Sequence, residues 1–155
     1  MQITIFTAAC TGKTSNCSYP NRKVVITPEE MKEAVRFDHV CAEYKGNYRS
    51  IGNFTRSDVV VMDIDNDHTE KPKEWITPEM LDEMLPDISY VIAFSRNHMK
   101  VKDGKAARPK FHVYFQIAET TDAGWYAAIK RGIKKRFDFF DGNALDAARF
   151  IFGAD

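Results

Sequence analysis

The sequence predicts an α+β fold, an α/β sandwich in which a mixed sheet is flanked by helices. Three observations predict it. Strand-like apolar runs and capped amphipathic segments interleave along the chain. Several of the strands are apolar on both sides, as buried strands are. No internal repeat or low-complexity linker divides the 155 residues, a length that fits one domain.

The elements follow in order. Ile3 to Ala8 alternates and reads as a strand. Thr11 to Arg22 is rich in turn-forming residues and reads as a loop. Thr27-Pro28-Glu29-Glu30 starts a helix, with Thr as N-cap, Pro at N1 and Glu at N3, running to about Phe37 or Asp38. Cys41 to Tyr44 reads as a short strand, and Asp58 to Asp65 as a longer one. Thr77-Pro78-Glu79 repeats the cap signal for a helix that ends before Pro86. Ser89 to Ser95 and Phe111 to Ile117 are strands joined by a long polar loop, Arg96 to Lys110. Thr121 caps a helix whose apolar stripe is Trp125, Ile129, Ile133 and Phe137 and whose other face carries Lys130, Arg131, Lys134 and Lys135. Ala148 to Phe152 is a closing strand, and the stop just after it suggests a catalytic domain cut from a longer protein.

Composition sets the outer bounds. A hydrophobic content of 44% and an aromatic content of 12% provide a core. Lys+Arg and Asp+Glu both count 22, so no global basic field points to nucleic acid, and such a site must come from local clustering. No apolar run approaches a membrane span, and the N-terminus lacks the pattern of a signal peptide, so a cytoplasmic protein with no membrane partner is expected. Three cysteines, Cys10, Cys17 and Cys41, show no repeated spacing, which argues for free thiols over a disulfide framework or zinc module.

Val60-Val61-Met62-Asp63-Ile64-Asp65 carries the most chemical information. Alternation along a strand points Asp63 and Asp65 the same way. Two close carboxylates at a buried strand end repel each other unless a cation sits between them, and hard divalent ions are held in this manner. Asn66-Asp67 follow, and such residues also make solvated turns. Thr7 to Thr14 ends in Gly-Lys-Thr like a phosphate loop, but the first glycine of that motif is missing and no helix pattern follows, so a nucleotide-hydrolase reading is rejected. Arg96 to Lys110 holds six basic residues against one acid, either a solvated hairpin or a phosphate-binding loop. Lys110 and His112 share a face of their strand, the arrangement needed to grip a polyphosphate. Asp146 and Arg149 lead into the closing strand, as a local salt bridge or as a metal ligand and phosphate clamp.

Taken together these residues resemble the archaeo-eukaryotic primase (AEP) superfamily, in particular the primase-polymerases of phages and plasmids. Asp63 and Asp65 match its first motif, a DxD at a strand end. His112, within Arg108-Pro109-Lys110-Phe111-His112, matches its strand histidine. Asp146 and Arg149 match its third motif, an Asp shortly before an Arg and a closing strand. Ser95-Arg96-Asn97-His98 looks like the start of the second-motif region. The resemblance covers about Val40 to Gly153 and rests on motif order and spacing. Two features depart from it: a longer basic loop replaces the usual glycine-rich approach to the histidine, and no C-terminal helical or helicase portion is present.

The resemblance implies a primase-polymerase catalytic core with an RRM-like unit, acting as a template-directed nucleotidyltransferase. Asp63, Asp65 and Asp146 would be catalytic and would hold two divalent ions, Mg²⁺ or Mn²⁺. His112, Lys110, Arg149, Ser95 and Arg108 would bind the nucleoside triphosphate substrate. Arg96, Arg49, Arg56, Lys130 and Lys134 would contact DNA, mainly through phosphates. The partners implied are a single-stranded DNA template with its primer, dNTP or NTP, and a helicase or C-terminal helical domain. Asp63→Ala is expected to abolish incorporation while leaving the fold stable or slightly stabilised. A metal-dependent nuclease and a non-catalytic nucleic-acid-binding module are the alternatives.

Overall fold

In the computed structural model, which describes residues 1–143 and 145–154, two four-stranded sheets stack with helices around them. Strands β1 (Ile3–Thr7), β2 (Asn21–Val25), β3 (His39–Val40) and β8 (Phe150–Ile151) form one sheet in the order β2-β1-β3-β8. Strands β4 (Glu43–Tyr44), β5 (Phe54–Ile64), β6 (Tyr90–Phe94) and β7 (Phe111–Thr120) form the other in the order β4-β5-β7-β6. The α+β class therefore holds, but every pairing among the described residues is antiparallel, in place of the mixed sheet expected.

The long pair β5 and β7 is the spine, and it is buried on both faces, which is why β5 reads as an almost unbroken apolar run. Val60, Met62 and Ile64 face one side, with Phe111, Val113, Leu81 and Tyr126. Helices α2 (Pro78–Met84) and α3 (Ala123–Arg136) supply Leu81 and Tyr126 to that core. Val59 and Val61 face the other side, with Ile3, Ile5, Tyr114, Ile151, and Met31 and Ala34 of α1 (Pro28–Val35). Asp63 shares this second face, so alternation along β5 carries it toward the space between the sheets.

The helix signals resolve unequally. Thr27 and Glu30 form a full capping box: Thr27 Oγ1 accepts from Glu30 N at 3.2 Å, and Glu30 Oε2 accepts from Thr27 N at 2.9 Å. Helix α2 starts at Pro78 as expected, yet Thr77 does not cap it with its side chain. Helix α3 is capped by Asp122, not Thr121: Asp122 Oδ1 accepts from Trp125 N at 2.9 Å. Its buried residues are Tyr126 and Lys130, and Trp125 is 61% exposed. Steps of four drift off a 3.6-residue turn, so a stripe counted that way leaves the core face at one end. Strand β2 begins inside the segment that reads as loop; its residues Asn21, Arg22 and Lys23 face solvent and carry no apolar pattern.

Asp38 ties three segments together. Its buried carboxylate accepts from Gly12 N at 2.7 Å and Gly153 N at 2.9 Å on Oδ1, and from Lys13 N at 2.9 Å on Oδ2. The Gly-Lys-Thr stretch thus uses its amides on an internal carboxylate, in line with the rejection of a phosphate loop. Gly153 also lies flat on the end of α1: a Cβ there would overlap Arg36 O and come within 2.7 Å of Phe37 C. Among the described residues no helix is long and apolar enough to cross a membrane.

Candidate functional site

The facing ends of the two sheets leave a cleft of about 280 Å³, walled by Asp63, Asp65, His112, Arg149, Phe152 and the 95–110 loop. The antiparallel register of β5 and β7 sets Asp63 directly opposite His112. Directly opposed residues share a face, and His112 Nδ1 stands 2.7 Å from Asp63 Oδ1. An ionised carboxylate only accepts, so Nδ1 carries the hydrogen. Arg149, just before β8, reaches across from the other sheet and donates from Nη2 to Asp63 Oδ2 at 2.7 Å. Its Nε is buried and has no hydrogen-bond partner among the described residues.

The two aspartates of the DxD pair have opposite electrostatics. Burial disfavours the charged form of Asp63, but its hydrogen bond and ion pair with His112, and then Arg149, outweigh it, and its carboxyl is held well below the usual range. Asp65 is pushed up: burial is the largest cause, and the charges of Asp63 and Asp141 add to it against Lys110. Lys110 Nζ lies 3.4 Å from Asp65 Oδ1 and 3.2 Å from Asp67 Oδ1.

Behind His112 sits a second, closed pair. His39 is 1% exposed; its Nδ1 donates to Phe37 O at 2.8 Å, and its Nε2 accepts from the Tyr114 hydroxyl at 2.7 Å. Burial, the largest cause, lowers its pKa to about 4. The unfolded chain takes up this proton near pH 6.5 and the native state only near 4, so stability falls as pH drops through that window. The loss from this group approaches about 3 kcal/mol at full titration. Asp63 is shifted in the same direction for a different reason, its charged form being held by His112 and Arg149, so its contribution too is lost as pH falls below the unfolded carboxylate range. Urea unfolding at pH 7, 5.5 and 4.5 should show the decline, and His39→Gln should flatten it; an unchanged slope in that variant would contradict the assignment.

The structure brings together Asp63, Asp65, His112, Lys110, Arg149, Ser95 and Arg96 from the residues singled out in the sequence. Six others stand elsewhere or are committed to other partners. Asp146 is exposed and caps its own turn, accepting from Ala148 N at 2.6 Å, and it does not line the cleft. Arg108, expected to contact phosphate, borders the cleft but is fully buried: it donates to Asn66 O at 2.9 Å and Glu70 Oε2 at 2.7 Å and faces the Trp75 ring, so it braces the loop after β5. Lys130, expected on a DNA-binding face, is 1% exposed, and burial lowers its pKa. Arg49 donates to Ala148 O at 2.9 Å and lies over the Phe150 ring, clamping the approach to β8. Arg56 pairs with Glu43 at 2.6 Å near the opposite end of β5, and Lys134 with Asp138 at 2.6 Å.

Asp141 is a candidate that the sequence reading does not include; like Asp146 it does not line the cleft, and its Oδ1 accepts from Asn143 N and Nδ2 at 2.9 Å, but it lies beside the DxD strand. Its amide donates to Asp63 O at 2.8 Å, its charge acts on Asp65, and it shares with Asp65 the wall of a second hollow. A signal for it exists, since Asp141 follows Phe139-Phe140 much as Asp63 follows an apolar run; the shorter spacing of Asp146 to Arg149 is the stronger match to a motif. The carboxylates of Asp63, Asp65 and Asp141 are hard oxygen donors of the type Mg²⁺ and Mn²⁺ take, and the repulsion that raises Asp65 is what a cation relieves. Donor chemistry therefore fits a divalent ion, although among the described residues no three such side chains are gathered into a ready ligand cluster.

The fold is similar to that of the AEP domain of the primase-polymerase (PrimPol) of cyanophage S-2L, with 14% sequence identity, a TM-score of 0.50, and coverage of 98% of this chain and 72% of that one. No protein-family model and no curated protein matches the sequence.

Proposed function

We propose that this chain is a nucleotidyltransferase of the primase-polymerase type, extending or making primers on a single-stranded DNA template. The observation that carries the reading is the Asp63-centred constellation: a strand-end carboxylate bound at 2.7 Å by both His112 and Arg149, with Asp65 beside it. Carboxylates that can take a cation and cations that can take phosphate here share one cleft, which is what phosphoryl transfer requires. The likeness to a PrimPol AEP domain favours the same class.

Asp63, Asp65 and Asp141 would hold Mg²⁺ or Mn²⁺. When bound, such ions lower the pKa of a primer 3′-hydroxyl and neutralise charge on a triphosphate. His112 and Arg149 would turn from Asp63 to phosphate oxygens, with Arg149 able to grip two at once. Lys110 and Arg96 would add point charges at the cleft wall, and Ser95 would place the 95–110 loop. Positioning and charge stabilisation would supply most of the rate.

A labelled primer on a single-stranded template, with Mn²⁺ or Mg²⁺ and either dNTPs or NTPs, tests this. Extension lost in Asp63→Ala supports transfer and gives the sugar preference. Shortening of the primer without triphosphates would point to a nuclease. The same assay ranks the third carboxylate: Asp141→Ala is expected to lower incorporation at least about a hundredfold and Asp146→Ala less than about tenfold, on the scale of a lost electrostatic partner in an active site. The reverse ranking would restore Asp146.

A further inference from the structure

Phe94 is the last residue of β6, an edge strand, and its ring is 52% exposed one residue before the cleft wall begins at Ser95. The ring is nonetheless held in place. His98 lies against it with centroids 4.2 Å apart, and Phe111 meets it edge-on at 6.5 Å. His98 is fixed in turn, because its Nδ1 accepts from Lys110 N at 3.2 Å and its own amide donates to Ser95 O at 2.8 Å. A large aromatic face kept rigid in solvent has little ordering entropy left to lose on binding a flat partner.

Its surroundings are cationic. Lys100, Lys102 and Lys105 line the adjoining cleft from a hairpin closed by backbone bonds between Lys102 and Lys105. Lys102 makes only a long, exposed ion pair with Asp103 at 3.9 Å, worth little in water, and Lys105 pairs with Asp67 at 3.2 Å, which leaves Lys100 and Lys102 as the cations nearest to hand. On the other side of Phe94 a groove of about 810 Å³ runs between β6 and α1, with Lys32 and Arg36 on its helical wall. Exposed aromatic rings flanked by a track of cations are the features by which proteins bind single strands, the rings stacking bases and the cations following the backbone.

We propose that Phe94 and His98 form a base-stacking platform for single-stranded nucleic acid beside the cleft, with Lys100 and Lys102 holding its phosphates. The proposal deepens the reading above, on which it rests, by giving the strand a path. A duplex hides its base faces, so the platform selects unpaired nucleotides. It also moves the nucleic-acid contact away from α3, where Lys130 is buried and Lys134 is paired.

The test is fluorescence anisotropy of a labelled oligothymidylate with Mg²⁺ and no triphosphate, at several salt concentrations. Phe94→Leu keeps an apolar side chain and removes the ring; it should weaken binding about 5- to 100-fold, the range for removing one stacked ring, with an unchanged thermal transition and salt slope. Lys100→Ala with Lys102→Ala should lower the slope of log K against log salt by about 0.7 for each phosphate no longer held. Wild-type affinity in Phe94→Leu, an unaltered slope in the lysine variant, or tighter binding of a blunt duplex would each overturn the platform. Because no nucleotide is incorporated in this measurement, strand binding that depends on Phe94 in a protein that never extends primers would overturn the transferase reading and uphold the platform.

Discussion

Asp65→Asn should abolish nucleotide incorporation and raise the thermal midpoint of the metal-free protein, whereas Asp63→Ala should abolish incorporation and lower it. The two residues are two apart on the same strand face, and sequence alone treats them alike. The structure does not. Burial and the charges of Asp63 and Asp141 penalise the ionised form of Asp65, so a neutral amide there relieves a cost the fold carries at pH 7. Asp63 is the anion that His112 and Arg149 converge on, and its ionised form is favoured in the native state. Breaking such a pair costs on the order of 3 kcal/mol, with Arg149, 36% exposed, taking it toward the lower end. The expectation that Asp63→Ala is neutral or stabilising is therefore replaced, and the repulsive member of the pair is Asp65. Thermal melts of both variants with and without Mn²⁺ decide the matter. Mn²⁺ should raise the midpoint of the wild type more than that of Asp65→Asn, because a ligand that binds only the folded state stabilises it more the tighter it binds. Midpoints that move in the same direction in both variants would contradict this division of roles.

The second large effect is expected at Asp38. Asp38→Ala removes the acceptor of three backbone amides from Gly12, Lys13 and Gly153. Hydrogen bonds to a charged group contribute about 1.5–3 kcal/mol each, and orphaned buried amides add a desolvation cost, so a loss on the order of 4 kcal/mol is expected. For a chain of this size that is roughly 8–16 °C in midpoint. Asp38→Asn should lose less, because one oxygen remains to accept, but its amide nitrogen then faces Lys13 N–H or the other donors. The discriminating result is activity. Arg149 lies four residues before Gly153, so Asp38→Ala should weaken triphosphate binding at temperatures where the rest of the protein stays folded. A variant with a lower midpoint and unchanged triphosphate affinity would show that the knot serves stability only.

Much of this site is legible in the chain because local rules govern it. Alternation puts Asp63 and Asp65 on one face of their strand and Lys110 and His112 on one face of theirs, and both statements need only a period of two. What stays hidden has a different cause. Strand β3 has two residues, too few for any periodicity, and exists only because β1 and β8 pair with it, whereas the equally short β4 and β8 lie inside the strands read at Cys41 to Tyr44 and Ala148 to Phe152. Arg108 and Lys130 belong to residue types that are almost never buried, and only the assembled fold supplies the Asn66 and Glu70 acceptors that make burial of Arg108 tolerable. Arg49, Arg56 and Lys134 look alike in sequence to the cations of the cleft; their partners Ala148, Glu43 and Asp138 distinguish them.

The closing strand has a kinetic meaning as well as a structural one. Gly153 meets Asp38 across 115 residues of chain, and Arg149 meets Asp63 across 86. Contacts of such separation form late, after shorter loops have closed, because their ordering entropy must be met before they return any stabilisation. The β5–β7 spine and its helices should therefore assemble first, leaving a nearly native species with Asp63 and His112 paired and the opposite wall of the cleft still open. In a refolding experiment, tryptophan fluorescence at Trp75 should recover ahead of the ability to bind a triphosphate, and the interval between them would be the docking time of residues 149–153.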